Sequence, residues 1–292
     1  MDFKRWANEH KIHEIVAGSH LYGTARPDSD VDIRGVCLMP TECLLGLSRF
    51  DQWQDNQSDT VIYGITKFFD LALGANPNIV DILCAPRDTW RIPTDDWQSI
   101  YFSRSIFLSQ RIRHTFSGYA YSQLKRLENH YRWLINPPTD APTLEQFGGK
   151  LESDPKGGQK KVFPHLDAER RYEATAKYWK QYQTWLQERN PARAALEAKY
   201  GYDTKHASHL VRLLLQAVDI LEFGDYNPRL NRRALDTVLD VLRGEWEYEQ
   251  LIDWAQAMEA QVKSMDSVLP NKPDRNKAER LLMGINFQTC WI

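Results

Sequence analysis

Apolar and polar positions alternate with a period of two residues in short runs over the first 90 residues, and turn residues separate these runs. This pattern is typical of strands joined by short helices. The predicted strands are IHEIVAGS, VDIRGVCLM, DTVIYG and NPNIVDILCAP. The predicted helices are residues 1–10, SHLYGTA and ITKFFDLALGA. Together they indicate a small mixed α/β unit.

From about residue 93 the apolar positions recur every three to four residues, which predicts helices. The predicted helical segments are 96–135 (one or two helices), 169–200, 203–224, 230–243 and 245–264. Residues 136–161 are rich in Pro, Gly and Lys, which predicts a flexible insertion or a loop that closes on substrate. We therefore predict an α+β protein in two domains. Residues 1–92 form a small mixed-sheet domain, and 93–292 form a larger all-helical domain with a flexible insertion at about 136–168.

Composition and charge refine this picture. The 292 residues have a net charge of −2 and 42% hydrophobic residues, which is the balance of a folded protein and excludes a histone-like or acidic-tail protein. Residues 1–92 hold 9 basic and 13 acidic residues, whereas 93–292 hold 28 and 26. No apolar run approaches the roughly 20 residues of a membrane helix, and the N-terminus lacks the apolar core of a signal peptide. We expect a cytoplasmic protein without a membrane partner.

The cysteines give no CxxC pair, and Cys37 and Cys84 lie in apolar strand-like runs, so we predict buried free thiols and neither a disulfide framework nor a zinc site. The four cysteines are Cys37, Cys43, Cys84 and Cys290.

Two short motifs carry candidate chemistry. Asp30 and Asp32 fall on one face of a predicted strand, and two carboxylates aimed the same way favour a bound Mg²⁺ or Mn²⁺. About ten residues earlier, Gly18 and Ser19 lie where a strand turns into a helix, and backbone N–H groups and the serine hydroxyl can hold phosphate there. A lone DxD is more often a turn cap before an edge strand. The combination with Gly18-Ser19 is what nucleotidyl transfer from an NTP requires.

The motifs GSxxYG, SDxDxRGV and NPNIVDIL resemble the polymerase-β superfamily of nucleotidyltransferases, and more narrowly the RlaP-like family of RNA-repair-pathway nucleotidyltransferases. GYDTKHASHLVRLLLQAVDILEFG, GEWEYEQLIDWA and SVLPNKPDR also resemble that family, so the resemblance extends over most of the chain. It implies transfer of NMP from an NTP to an acceptor hydroxyl, with an RNA 3′ end as the preferred acceptor. It also places Tyr22, within GSxxYG, among the nucleotide-binding residues.

The resemblance further implies a third carboxylate on an adjacent strand. Asp59 begins the run DTVIYG and would lie beside Asp30 and Asp32, where it would act as the general base. Asp81, in NIVDIL, is the alternative and could instead support the site from behind; we favour Asp59. Arg34 shares the face of the DxD pair and could pair with a carboxylate or bind phosphate.

The helical half contains two candidate binding surfaces. Lys205, His209 and Arg212 fall at i, i+4 and i+7 of a predicted helix. A solvated charged face is the ordinary explanation, but the resemblance favours binding of the triphosphate or the acceptor. Residues 101–132 interleave basic and aromatic side chains, which are the ingredients of a surface for single-stranded RNA, although most aromatic residues at helical spacing belong to a core.

Two other functions stay open. The acceptor could be a hydroxyl of a protein or a small molecule, or the chain could be a non-catalytic, antitoxin-like nucleotide-binding module. The presence of every acidic residue that catalysis needs argues against the module. The sequence leaves the preferred NTP, the use of a template and the oligomeric state open.

Overall fold

The predicted α+β class is confirmed by the computed structural model, which describes residues 2–27, 29–154 and 157–289. A small mixed sheet lies in the N-terminal region and helices make up most of the remainder. Residues 1–124 and 206–292 form one compact unit, and residues 125–205 form a second. The domain boundary expected at residues 92 and 93 stays a prediction.

The sheet has four strands in the order β1-β2-β4-β3. β1 is antiparallel to β2, β2 is parallel to β4, and β3 is antiparallel to β4. Its strands are β1 (Lys11–Val16), β2 (Ile33–Cys37), β3 (Gln52–Asp55) and β4 (Thr60–Gly64). β3 lies in the segment rich in Asp, Gln and Asn between VDIRGVCLM and DTVIYG, whose polar composition predicts a loop. Its residues QWQD have little apolar content because β3 is an exposed edge strand.

Helices make up most of the described chain outside this sheet. In the first half they are α1 (Phe3–Glu9), α2 (Gly18–Tyr22), α3 (Thr41–Leu44), α4 (Ile65–Leu73), α5 (Pro77–Leu83), α6 (Asp95–Phe102) and α7 (Arg111–Ile135). In the second half they are α8 (Leu166–Glu188), α9 (Pro191–Tyr200), α10 (Thr204–Phe223), α11 (Arg232–Leu242), α12 (Tyr248–Ser264) and α13 (Arg275–Thr289). The predicted insertion contains the hairpin of β5 (Lys150–Ser153) and β6 (Gln159–Val162), and α13 was not predicted.

The fourth strand predicted from NPNIVDILCAP is wrong, because this segment forms α5. Asn76 caps the helix by accepting hydrogen bonds from the backbone N–H groups of residues 78 and 79, and Pro77 occupies the first turn. Every residue of α5 except Asn78 is buried. A helix that is apolar on all sides gives no 3.6-residue pattern, and its β-branched residues imitate a buried strand.

Aromatic side chains fill the core between the sheet and the helices. Phe69 of α4 packs edge-on against Phe107 at a centroid distance of 5.1 Å. The ring of His13, on β1, stacks on Trp97 of α6 at 3.7 Å with an interplanar angle of 6°. His13 and Trp97 are both 0% exposed, so a titratable ring lies wholly inside the apolar core.

His13 makes the stability of the protein depend on pH. Burial lowers the pKa of His13 to about 3, from an ordinary value of 6.5. As the pH falls below about 6.5 the unfolded chain binds a proton that the folded chain refuses, so the folded state loses stability. Between pH 8 and pH 5 this loss is about 2 kcal/mol. We expect His13→Phe, which keeps a flat ring against Trp97, to remove it.

The measurement is the free energy of unfolding in urea at pH 8 and pH 5 for both proteins. The difference at pH 8 reports packing alone, so the change in that difference at pH 5 isolates the proton. An equal pH-dependent loss in His13→Phe would contradict the assignment of this acid sensitivity to His13.

The buried thiols predicted for Cys37 and Cys84 are confirmed, and burial raises the pKa of Cys37 to about 12. Cys43 is a half-buried free thiol, and Cys290 lies outside the described residues. Within the described ranges, no helix combines the length and apolar character that crossing a membrane needs. The cytoplasmic location stays a prediction.

Candidate active site

The two predicted motifs meet at the end of the sheet where β2 and β4 begin. Ile33 and Thr60 are paired at the start of these parallel strands, and the Ile33 amide donates a hydrogen bond to the Asp59 carbonyl at 3.1 Å. On the other side of β2, the Ala17 amide donates to the Asp32 carbonyl at 2.8 Å. Asp32 and Asp59 therefore directly precede two neighbouring strands and lie side by side. The turn that follows β1 lies next to Asp32.

Gly18 makes the closest approach in this region. Its φ angle is +61°, in the left-handed region that favours glycine. A Cβ atom at this position would lie 2.0 Å from Oδ2 of Asp32, so no other residue fits without moving the carboxylate. The sequence analysis predicts close approach of a phosphate at Gly18. The structure adds that Gly18 also allows the Asp32 carboxylate to lie against the backbone.

Arg34 joins the two carboxylates. Its Nη2 atom lies 3.1 Å from Oδ1 of Asp59 and 3.5 Å from Oδ1 of Asp32, and its Nη1 atom donates to the Asp59 carbonyl. A side-chain hydrogen bond with Asp32 lowers the pKa of Asp59; partial burial opposes this shift and Arg34 reinforces it. The two carboxylates therefore lie within reach of one guanidinium nitrogen, and a divalent cation can occupy such a position between paired carboxylates.

The DxD segment differs from the prediction in one respect. β2 begins at Ile33, so Asp30 and Asp32 precede the strand and strand alternation does not cover them. Val31, which alternation places in the core, is 48% exposed, and Asp30 is also exposed. Asp32 is half-buried and contacts Arg34, which makes it the better-defined member of the pair.

Asp59 and Asp81, the two candidates for the third carboxylate, have different surroundings. Asp59 contacts Arg34 and Asp32. Asp81 lies on α5, is 3% exposed, and accepts hydrogen bonds from Tyr22 and Tyr226 at 2.7 and 2.6 Å. Both Asp81 oxygens are thus engaged inside the core, whereas the Asp59 side chain is 56% accessible to solvent.

Tyr63 is a candidate residue that the sequence analysis missed. Val61 is paired with Arg34 across the parallel strands, so the side chains of Arg34, Val61 and Tyr63 share one sheet face. Burial raises the pKa of the half-buried Tyr63, while Arg34 opposes this shift. Its position was readable from the spacing, because residues 61 and 63 of β4 alternate toward one face.

The helical residues predicted to bind nucleotide have three different environments on α10. Lys205 is exposed and His209 is half-buried. Arg212 is 6% exposed; its guanidinium lies 3.9 Å from the centroid of the Tyr22 ring and 3.6 Å from Asp81. Arg212 is therefore surrounded by protein groups inside the core.

Three arginines of the predicted RNA surface have structural partners. Arg104 forms a bidentate pair with Asp225. Arg111 donates to the carbonyl of Leu73, and Arg113 donates to carbonyls at the end of α12, those of residues 262 and 265. Phe107, Phe116 and Trp133, which the same prediction offered for base stacking, are buried. Exposed members of the predicted surface include Phe102, Tyr121, Arg126 and Arg132.

A separate cluster lies in the unit of residues 125–205. Within the described part of the chain, the possible ligand atoms of His130, Glu197 and Asp203 lie within 4.8 Å of one another. Arg189 pairs with Glu197, and Arg193 donates to both carboxylate oxygens of Asp203 at 2.9 and 2.8 Å. Glu197 and Asp203 are both buried and each is paired with an arginine, so this cluster fits a buried ion-pair network better than an accessible metal centre.

A mixed sheet with paired carboxylates beside a glycine turn is the arrangement that polymerase-β-type nucleotidyltransferases need. The family RlaP, described as RNA repair pathway DNA polymerase beta family, matches residues 1–135. This match confirms the resemblance for that part of the chain. The resemblance of the later segments, including the residues of α10, stays a prediction.

One relative comes from Enterobacteria phage T4, the "Uncharacterized 38.9 kDa protein in nrdC-mobD intergenic region". It is 28% identical over 123 residues, which cover 37% of this chain and 36% of the phage protein. The similarity thus spans about a third of the relative's length. No solved structure matches the chain.

Proposed function

We propose that this protein is a metal-dependent nucleotidyltransferase that transfers NMP from an NTP to the 3′ hydroxyl of an RNA. The observation that carries the proposal is the convergence of Asp32, Asp59 and Arg34 beside Gly18, within the residues that the RlaP family matches. A structural ion pair alone does not require two carboxyl groups side by side against a glycine backbone.

The carboxyl groups fit a divalent cation by their chemistry, because hard oxygen ligands on neighbouring chain segments are what Mg²⁺ or Mn²⁺ binds. Asp30, Asp32 and Asp59 would hold the ion. When bound, it supplies positive charge for the phosphates and for the leaving pyrophosphate.

The chain's own residues would bind and orient the two substrates. Gly18 and Ser19, which we call the phosphate-binding turn, would present a backbone N–H and a hydroxyl to the triphosphate. Arg34 would neutralise negative charge beside the carboxylates. Asp59 would accept the proton of the attacking hydroxyl, since its side chain is accessible to solvent beside the other carboxylates.

RNA is the proposed acceptor because the matched family is described by an RNA repair pathway. We limit the proposed RNA-binding surface to residues whose side chains are exposed. This excludes Arg104, Arg111 and Arg113, which bond to Asp225 or to backbone carbonyls. The exposed Arg126 and Arg132 of α7 remain in the proposed surface. Lys205 and His209 stay candidates for contact with the nucleotide.

The test is incubation with each labelled NTP, Mg²⁺ or Mn²⁺, and RNA, DNA or total protein. We expect label on RNA 3′ ends, and we expect EDTA and Asp32→Asn to abolish it. Label on protein would mean that the acceptor is a protein hydroxyl and not an RNA 3′ end. An absence of transfer to every acceptor would favour a nucleotide-binding module without catalysis.

A further inference from the structure

We infer that a buried network around Asp81 positions the phosphate-binding turn, so that α10 acts on nucleotide binding from behind the site. In this view Tyr22, Asp81 and Arg212 are positioning residues and do not touch the phosphates. The inference rests on the proposed nucleotidyl transfer for its functional consequence. Its structural part can be tested separately.

Asp81 is the centre of the network. Its Oδ2 atom accepts a hydrogen bond from the Tyr22 hydroxyl at 2.7 Å, and its Oδ1 atom accepts one from the Tyr226 hydroxyl at 2.6 Å. Nη1 of Arg212 lies 3.6 Å from Oδ2. All four side chains are at most 7% exposed. A buried carboxylate with this set of partners holds them in place, because a buried polar group that loses its partner pays the cost of its desolvation.

Arg212 connects the network to the rest of α10. Its guanidinium lies over the Tyr22 ring, with Cζ 3.9 Å from the ring centroid. Its Nη1 atom also donates to Oε1 of Gln216 at 2.6 Å, one helical turn further along. The Tyr22 carbonyl accepts a hydrogen bond from the Leu230 amide at 3.3 Å. Arg212 and Leu230 thus hold the ring and the backbone of Tyr22, while Asp81 holds its hydroxyl.

Tyr22 transmits this constraint to the phosphate-binding turn. It is the last residue of α2, and Gly18 is the first. A five-residue helix is about two turns or less of rigid backbone, so a displacement at one end moves the other. Leu21 and Tyr22 are the residues that α2 buries in the core, whereas Gly18 and Ser19 are half-exposed. The position of the turn beside Asp32 therefore depends on the Tyr22 anchor.

A consequence is that residues beyond the range that the RlaP family matches surround the Tyr22 anchor. Arg212 and Tyr226 lie outside residues 1–135 but belong to the same compact unit as the phosphate-binding turn. The sequence analysis places Arg212 in contact with the nucleotide. The network explains the position of Arg212 on α10 without contact between Arg212 and the nucleotide.

The test uses two matched variants, since each removes one hydroxyl from Asp81 and leaves the ring. Tyr22→Phe removes the hydrogen bond that anchors α2 to Asp81. Tyr226→Phe removes a hydrogen bond to the same carboxylate that does not involve α2. For Tyr22→Phe we expect amide hydrogen exchange of residues 17–24 to accelerate about 10-fold, and KM for the preferred NTP to rise about 10-fold with kcat changed less. Tyr226→Phe should lose similar stability but change neither quantity by more than about twofold.

Equal exchange rates in residues 17–24 for both variants, or KM rising in proportion to the loss of Tm in both, would overturn the positioning role. These results would leave nucleotidyl transfer by the wild type intact. If the wild type transfers label to no acceptor, the proposed function fails, and the exchange measurement still decides whether Tyr22 fixes the turn. Replacement of Arg212 is less informative, because removing a buried charge beside Asp81 endangers folding.

Discussion

We expect Asp59→Asn to lower kcat for nucleotide incorporation by roughly 10²–10³-fold, the loss typical when one preorganised charged or polar group at a reacting centre is removed. Asparagine has nearly the same shape, so packing at the start of β4 is kept. It can neither accept the proton of the acceptor hydroxyl nor offer a charged ligand to the cation. Asp32→Asn should cost at least as much, because Asp32 contacts both Asp59 and Arg34.

The matched control is Asp51→Asn. Asp51 lies just before β3 and pairs with Lys67 at 3.3 Å, and its side chain is 71% exposed. It has the same chemistry on the same sheet but lies away from the paired carboxylates. We expect it to keep wild-type kcat and to change stability by less than about 1 kcal/mol, as exposed ion pairs do.

Asp81→Asn separates the two candidates for the third carboxylate. Asp81 supports two tyrosine hydroxyls and Arg212 in the core, so we expect its replacement to lower Tm and to act on KM through the turn. The assignment of Asp59 as the third carboxylate would be wrong if Asp81→Asn abolished transfer at unchanged Tm while Asp59→Asn stayed active.

The elements with a clean period were predictable from the sequence. β1, β2 and β4 are short apolar runs bounded by turn residues, and α10 and α11 each show one apolar stripe, so their patterns match their structures. The exceptions follow from burial. α5 is buried on nearly all sides and was mistaken for a strand, and β3 is exposed on an edge and was mistaken for a loop.

The candidate site shows the same division. Gly18, Asp32, Asp59 and Arg34 are close because their strands are neighbours in a short local motif, and strand pairing can be anticipated from such a motif. The network of Tyr22, Asp81, Tyr226 and Arg212 joins residues up to 204 positions apart, from Tyr22 to Tyr226. No periodicity encodes such a contact. For Arg212 the sequence showed a polar position on a helix, but it could not show that the partner was buried.

We expect Gly18→Ala to lower kcat/KM by about 10²-fold or more, because a misplacement of about 1 Å near the chemistry can cost that much. The new Cβ would lie 2.0 Å from Oδ2 of Asp32, far inside contact distance. Either the carboxylate or the phosphate-binding turn must move. The positive φ of +61° adds a stability loss of about 1–2 kcal/mol for a residue with a side chain.

Gly23→Ala provides the matched control for that substitution. Gly23 ends α2 with a φ of +82°, and nothing lies within 4 Å of the Cβ that alanine would add. It therefore carries the backbone strain of Gly18→Ala without the contact with Asp32. We expect both variants to lose similar free energy of unfolding, and we expect the large loss of kcat/KM in Gly18→Ala alone. Equal kinetic losses would mean that strain in α2, and not the Asp32 carboxylate, limits the reaction.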